Sequence, residues 1–424
     1  MPGYYIWTIG CQMNKADSQH MAHCLERAGY SRARVVEQAE IVVLNSCVVR
    51  GSAETRVVNR LNSIKGLKKR LPGVTIALTG CMVDSRVDDL RRHFPWVDIF
   101  FRPQQWECLE EWIDRHRIPG SADARGVVSL PDSGVSAYVP IIHGCNNFCA
   151  YCIVPYRRGR TKSRPVGEVC SEVQTLVGQG VKEVTLLGQI VDLYGHDLPD
   201  RPDLADLLAE LNKTDGLERI RFLTSHPNHM SQRLIRAVAG LAKVCEHISL
   251  PFQAGDDGIL NLMRRGYTVE QYCSLVSEIR CHVPDVSLST DVIVGFPGET
   301  EERFAGTVDI LSRLRFDKVH VAAYSPRPDT IASRRLKDDV IRQEKESRRR
   351  RVEALQQGIA GEINAGLVGK TVEVLVEGIK GGKWWGRTRG DKLVFFSGGA
   401  NRVGELVQVR VEKSSPLALQ GTPD

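Results

Sequence analysis

Three cysteines within eight residues constrain this chain more than any other feature: Cys145, Cys149 and Cys152 stand in the run Cys-Asn-Asn-Phe-Cys-Ala-Tyr-Cys. Thiolate is the soft, anionic ligand that iron–sulphur clusters need. A loop this short wraps three corners of a cubane cluster and supplies no fourth ligand. One iron therefore stays open, and an open coordination position is where chemistry can happen. Zinc is the alternative. It asks for four ligands, and His143 is the nearby fourth candidate, so a structural zinc knuckle is the plainer reading of the same spacing.

The remaining cysteines fit metal or redox chemistry better than disulfides. Twelve cysteines in a small secreted chain would read as a disulfide framework, but this chain has 424 residues. Its start, Met1-Pro2-Gly3-Tyr4-Tyr5-Ile6-Trp7, has neither the basic flank nor the cleavage site of a signal peptide. A reducing, cytoplasmic setting is expected. No apolar run approaches the roughly 18 residues of a membrane span. The length allows two or three domains, and the net charge of +6 permits a nucleic-acid partner without requiring one.

The first hundred residues read as repeated strand–helix units. Strands are expected at Tyr4–Ile9, Ile41–Leu44 and Thr75–Thr79, with a helix near Ser18–Arg27 that stops at Gly29. Ligands in an open parallel sheet bind at the carboxyl ends of strands. Cys11, Cys47 and Cys81 each fall just past such an end. Three thiols converging on one rim suggest a second cluster, again with one open iron. The competing reading is three unrelated buried cysteines acting as small hydrophobes.

Trp106 to Pro131 has a looser texture, and Pro119-Gly120-Ser121 and Pro131-Asp132-Ser133-Gly134 mark turns and a domain boundary. Six strands are expected beyond it: Tyr138–Ile142, Glu183–Leu187, Arg219–Leu223, His247–Leu250, Ser287–Val294 and Lys318–Tyr324. Helical segments separate them, among them Val166–Leu176, Arg233–Leu241 and Thr300–Leu314. Six βα units are too few for a closed eight-stranded barrel, so a partial barrel open to a bulky substrate is expected. Gly188-Gln189, Gly255-Asp256 and Gly295-Phe296-Pro297-Gly298-Glu299 follow three of these strands. Glycine there lets backbone approach a ligand, and the shared position suits a nucleoside and an amino-acid moiety.

Asp338 to Asn364 is helical and carries Arg348-Arg349-Arg350-Arg351, which reads as a solvated helix face. From Gly366 the pattern turns to strands, at Thr371–Glu377, Lys392–Phe396 and Glu405–Val411. Residues 364–424 hold nine Lys and Arg against six Asp and Glu and no cysteine. Trp384, Trp385, Phe395 and Phe396 interleave with Lys383, Arg387, Arg389 and Lys392. Such a small β-barrel either stacks bases and neutralises phosphates or keeps its aromatics as core. Its part is expected to be RNA affinity and not chemistry.

Taken together, these residues resemble the radical S-adenosylmethionine (SAM) methylthiotransferases over the whole chain. Thr8-Ile9-Gly10-Cys11-Gln12-Met13-Asn14, Asn45-Ser46-Cys47-Val48-Val49-Arg50 and Gly80-Cys81-Met82 are similar to the three motifs of that family's N-terminal domain. Gly144 to Arg164 is similar to its radical SAM loop, and the closing segment to its TRAM domain. Arg221-Phe222-Leu223-Thr224-Ser225-His226-Pro227 resembles the branch acting on tRNA. Ile190 and Asp192 stand where that branch leads one to expect two asparagines, Thr161 where an acidic residue is usual, Ala254 for a serine and Asp329 for a glycine.

The resemblance implies an α/β protein in three parts. A Rossmann-like or flavodoxin-like domain would span 1–120, a partial (β/α)6 TIM-type radical SAM barrel 131–361, and a TRAM β-barrel 364–424. It implies two 4Fe–4S clusters, one on Cys145, Cys149 and Cys152 that binds SAM by its open iron, one auxiliary on Cys11, Cys47 and Cys81. SAM contacts are expected from Gly188, Gln189, Gln253, Gly255, Gly295 and Glu299. Reductive cleavage of SAM to a 5′-deoxyadenosyl radical would activate C2 of an adenine, and a sulphur on the auxiliary cluster, methylated by a second SAM, would be delivered there. The implied substrate is N6-dimethylallyladenosine 3′ of the anticodon, with the anticodon stem-loop as partner and a flavodoxin or ferredoxin as electron donor. A monomer is compatible with the sequence. Arg157, Arg158, Arg160 and Arg164 would contact phosphates or pair with local carboxylates. The other readings are a methylthiotransferase acting on threonylcarbamoyladenosine or on a ribosomal-protein aspartate, and a non-catalytic RNA-binding redox sensor.

Overall fold

The computed structural model describes residues 2–48, 51–84, 87–103, 105–116, 118, 134–398 and 402–424, with residues 51 and 52 described by backbone course alone. Val49, Arg50 and the expected turns at 119–121 and 131–133 lie outside the described residues. The chain divides into two compact units. The first holds the N-terminal domain together with His143–Asn147 and Cys152–Lys162, and the second holds the remainder.

In the first unit, β1 (Gly3–Thr8), β2 (Ser31–Arg32), β3 (Ile41–Ser46), β4 (Thr75–Gly80) and β5 (Ile99–Phe100) pair in parallel in the order β2-β1-β3-β4-β5. This is the flavodoxin-like arrangement. Strand β3 is buried along its whole length, as a central parallel strand covered on both faces must be. On one face Val57, Leu61, Ile64 and Leu67 of helix α2 (Gly51–Arg70) close a core. On the other, Met21 and Leu25 of α1 (Gln12–Arg27) meet Leu109, Trp112 and Ile113 of α4 (Glu107–His116), α3 (Val87–His93) lying between in the chain. Helix α1 begins directly after Cys11, earlier than its apolar period suggests, because its first turns bury Asn14 and Asp17 alongside Met13 and Ala16. Helix α4 occupies the stretch whose texture looks loose. Its apolar face is only one and a half turns long, which the surrounding charges hide.

The second unit contains the partial barrel. Strands β6 (Ser136–Pro140), β9 (Glu183–Leu187) and β10 (Arg219–Phe222) form one parallel ladder, and β11 (His247–Ser249), β12 (Ser287–Val294) and β13 (Lys318–Ala323) another. An isolated parallel bridge between Ile220 and Val244 ties β10 to the chain entering β11. Helices α6 (Val166–Gly178), α7 (Leu204–Asn212), α8 (Gln232–Gly240), α9 (Asp257–Leu262), α10 (Val269–His282) and α11 (Glu301–Leu314) connect these strands. The cysteine loop and α5 (Val154–Arg158) are flanked by the paired short strands β7 (Ile142–His143) and β8 (Lys162–Ser163).

After α12 (Ile331–Arg335) and α13 (Arg342–Ala365) the chain closes a small barrel. Its strands are β14 (Thr371–Lys380), β15 (Lys383–Thr388), β16 (Leu393–Phe396), β17 (Leu406–Ser414) and β18 (Leu419–Pro423), in the order β14-β15-β16-β18-β17. Strand β15 lacks alternation, and it fits only because Gly386 lets its backbone approach Leu375, where a Cβ would lie 2.0 Å from the carbonyl oxygen.

The small barrel is not a separable appendage. It docks on the amino ends of the partial-barrel strands through two buried arginines. Arg219 donates to the Arg387 carbonyl (2.7 Å) and the Glu373 carboxylate (2.8 Å). Arg221 donates to Glu183 (2.9 Å) and to the carbonyls of Thr388 and Arg389 (both 2.6 Å). Arg389 pairs with Glu246, Lys392 with Asp317, and Arg387 with Asp391. These three bases are therefore engaged in ion pairs within the second unit. Phe396 is core, whereas Lys383 is exposed. The arginine run of α13 is likewise paired: Arg348 is buried against Glu299, Arg349 binds Glu346 and Glu353, and Arg351 binds Glu301.

Removing one partner of a buried ion pair leaves an uncompensated charge. Arg221→Ala strands Glu183, whose side chain is only 5% exposed. The variant is expected to lose about 3–5 kcal/mol of stability. Urea unfolding checks this, and a loss below about 1 kcal/mol would assign the pair to the ordinary surface class.

Candidate functional site

The parallel register of three neighbouring strands brings the N-terminal cysteines together. Thr8 is the Cα partner of Asn45, and Asn45 of Thr79. Cys11, Cys47 and Cys81 follow these residues within three positions, at the carboxyl ends of β1, β3 and β4. The Cys81 amide donates to the Ser46 carbonyl (2.9 Å). Gly10 has φ +148°, and a Cβ there would stand 3.0 Å from that of Cys47, so the loop bearing Cys11 passes close over its neighbour. Asn14 locks the arrangement. Its amide donates to Asn45 and to the Ser46 carbonyl (both 2.9 Å), and its oxygen lies 3.3 Å from the Cys11 sulphur. Cys47 and Cys81 are buried and Cys11 is exposed, so the group has a closed back and an open front.

A cation sits beside these thiols. Arg158, at the end of α5, pairs with Asp17 at 2.8 Å, with side chains 2% and 4% exposed. Burial opposes its charge, but Asp17 and the sulphurs of Cys81 and Cys11 outweigh that and raise its pKa. Burial pushes the Cys81 thiol up, with Arg158 pulling the other way. The Nη1 of Arg158 is buried with no hydrogen-bond acceptor. Ile153 packs on Cys81 and Val48, and Arg157 pairs with Asp84. Of the two expectations for Arg157, Arg158 and Arg164, phosphates or local carboxylates, the structure shows the second, Arg164 binding Glu172 at 2.6 Å. Arg160 is exposed.

The loop cysteines have their own supports. The Cys145 amide donates to the Gly159 carbonyl (3.0 Å), and its sulphur accepts from the Asn147 amide (3.4 Å). Gly144, at φ +69°, has no room for a Cβ, which would meet the Arg160 carbonyl oxygen at 2.0 Å. In the second unit, Arg265 points Nη1 at the Cys149 sulphur (3.4 Å), while Nη2 holds the Pro251 carbonyl (3.0 Å) and Nε the Tyr267 hydroxyl (3.1 Å). A fixed N–H aimed at sulphur is a fitting neighbour for a cluster ligand. Each triad thus offers soft sulphur donors with a buried guanidinium nearby, a donor set that suits a 4Fe–4S cluster. Among the described residues no three His, Cys, Asp or Glu side chains stand in closed coordination geometry, and no cysteine forms a disulfide.

The strand-end residues expected to meet SAM differ in what holds them. Gln189 follows β9 with its buried Oε1 unpartnered. Gly188 has a Cβ position 2.3 Å from Ile142, and Gln253 adopts φ +74° with its backbone bonded to Asp291 and Ile293 of β12. Gly255 serves close approach to α11, where a Cβ would lie 2.6 Å from the Gly306 carbonyl oxygen, and Gly295 passes against Lys345 of α13. Glu299 accepts from the Gly295 amide (2.5 Å) and from Arg348 (2.8 Å). Glycine here meets packed helices, which a sequence cannot distinguish from an opening for ligand.

Asp192 is fully enclosed between β9 and the Ser225-His226 segment. Its Oδ2 accepts from the His226 amide (2.8 Å), and its Oδ1 has no partner. Burial raises its pKa to about 7, while burial, then Arg265 and His229, hold the His226 imidazole neutral with a pKa of about 2. A raised carboxyl pKa contributes stability that is fully present below its ordinary value and is lost as pH rises through about 7. The parent protein is therefore expected to lose more stability between pH 6 and pH 8 than Asp192→Asn, measured by urea midpoints. Equal losses in the two proteins would contradict this.

Comparison with known proteins places these features. Residues 3–102 match the model described as "Uncharacterized protein family UPF0004", 139–311 the radical SAM superfamily, and 366–423 the TRAM domain. The chain is 51% identical over 420 residues to the tRNA-2-methylthio-N(6)-dimethylallyladenosine synthase of Dehalococcoides mccartyi strain CBDB1, covering 99% of this chain and 98% of that one. It is 48% identical to the enzyme of the same name from Chloroflexus aurantiacus, over 99% and 91% of the two chains. Among solved structures, the radical SAM methyltransferase TsrM of Kitasatospora setae, with cobalamin and a [4Fe–4S] cluster bound, superposes with a TM-score of 0.58 at 15% identity, covering 78% and 77% of the chains. That likeness speaks for the fold alone. The sequence kinship runs end to end, and the chain belongs to the tRNA-2-methylthio-N(6)-dimethylallyladenosine synthase family.

Proposed function

We propose that this chain is a radical SAM methylthiotransferase that adds a methylthio group to C2 of N6-dimethylallyladenosine, 3′ of the anticodon in tRNA. The observation that carries the reading is the gathering of Cys11, Cys47 and Cys81 at three adjacent strand ends, in a chain that separately carries the C-x3-C-x2-C loop. Two SAM molecules and two 4Fe–4S clusters are used, with Cys145, Cys149 and Cys152 holding one cluster and Cys11, Cys47 and Cys81 the other. When bound, these clusters supply a one-electron reduction of SAM at the loop and a sulphur for transfer at the strand ends.

The chain's own residues position and enclose. Gly188, Gln189 and Gln253 would form the rim that binds SAM, and Gly255, Gly295 and Glu299 would hold that rim through their packing on α11 and α13. Arg265 fixes the Cys149 sulphur, and the neutral His226 lies beside the enclosed Asp192, which accepts from its amide. The tRNA is held in part by the TRAM barrel, whose exposed Lys383 faces solvent. Domain limits of 1–120, 131–361 and 364–424, a flavodoxin or ferredoxin as reductant, a monomer, and a cytoplasmic site belong to the same proposal. Among the described residues no helix is long and apolar enough to cross a membrane.

Three preparations test the reading. The parent, reconstituted without oxygen, is expected to hold about eight irons, and each cysteine triad changed to alanine removes about half. Loss of Cys145, Cys149 and Cys152 abolishes 5′-deoxyadenosine formation. Loss of Cys11, Cys47 and Cys81 leaves 5′-deoxyadenosine but no methylthiolated tRNA. Methylthiolated tRNA from that second variant would overturn the assignment.

A further inference from the structure

Five features make Arg158 stand out beyond the ligands themselves. It lies six residues after Cys152 in the radical SAM loop, yet its side chain is 2% exposed inside the first unit. Its partner Asp17 comes from the first turns of α1, the helix that starts at Cys11. Its Nη1 is buried with no acceptor in hydrogen-bond geometry, and the helix that bears its partner starts directly after Cys11. Ile153, on the same segment, seals Cys81 from behind. A buried cation with one unused donor is costly, by several kcal/mol before compensation. A single carboxylate does not use all five of its N–H groups.

We propose that Arg158 is a positioning residue for the auxiliary site, donating Nη1–H to a sulphur of the cluster held by Cys11, Cys47 and Cys81 and setting its reduction potential. The proposal rests on the assignment of those cysteines as cluster ligands. Hydrogen bonds to cluster sulphurs and local positive charge favour the more reduced, more negative state and so raise the potential. Asp17 has the opposite sign and holds that rise in check. The radical SAM segment thereby contributes a charge to the other triad, so that one stretch of chain serves both.

The test uses the full chain carrying Cys145→Ala, Cys149→Ala and Cys152→Ala, so that the auxiliary cluster is the one remaining. Iron content and midpoint potential, by redox titration with electron paramagnetic resonance, are read with Arg158, Arg158→Gln, Arg158→Lys and Asp17→Asn. Arg158→Gln is expected to shift the potential negative, Arg158→Lys to shift it less, and Asp17→Asn to shift it positive. Opposite signs from the two partners are what a merely structural ion pair would not give. Full iron with an unchanged potential in Arg158→Gln overturns the proposal. Should Arg158→Gln fail to fold, the remaining pair decides: no shift in Asp17→Asn together with none in Arg158→Lys overturns it equally. If the background protein with Arg158 intact binds no iron, the cluster assignment itself fails. That outcome is distinct from a failure of the tuning role.

Discussion

The auxiliary site depends on three parallel strands being paired in one register. Thr8, Asn45 and Thr79 lie side by side, and the three cysteines inherit that alignment because each follows its strand end within three residues. A slip of one position would turn every side chain of a strand to the other face of the sheet. The buried pair Asn14–Asn45 works against such a slip, since both amides find partners only in this register. Unmet buried amides cost about 1–3 kcal/mol each, so the polar network specifies the site as much as it stabilises it.

Buried arginine is the second recurring device, with two different uses. At the amino ends of the partial-barrel strands, Arg219 and Arg221 spend their donors on carbonyls and carboxylates, and the small barrel is fastened there. Arg265 directs a donor at the Cys149 sulphur, and Arg158 keeps a buried Nη1 without an acceptor. The first pair is a structural fastening, whereas each of the second is a fixed charge held with a donor to spare for sulphur. Reduction potentials of iron–sulphur clusters respond to such hydrogen bonds and charges.

Much of this was legible from residue order. Strand-end cysteines, six βα units and the change to short strands near Gly366 all carry strong local patterns. What was hidden is long-range pairing. Nothing around Arg158 announces Asp17, which lies 141 residues earlier, and nothing around Arg389 announces Glu246. A run of basic residues looks alike whether it meets phosphates or carboxylates, so the order of residues leaves both partners open for Arg157, Arg158, Arg387 and Lys392. Gly255 and Gly295 show the same limit: an absent side chain signals a close approach, but not of what. Helix α1 was partly masked because polar groups at its start are turned inward toward the cysteines, which removes the usual apolar period.

The activity of this chain falls on one particular tRNA adenosine. The most direct measurement is mass analysis of tRNA nucleosides from a strain lacking its own enzyme of this kind, with and without this chain expressed. N6-dimethylallyladenosine is expected to be converted to its 2-methylthio derivative only when the chain is present. Unconverted N6-dimethylallyladenosine alongside newly methylthiolated threonylcarbamoyladenosine, or no methylthiolated nucleoside from a protein that holds both clusters, would contradict it.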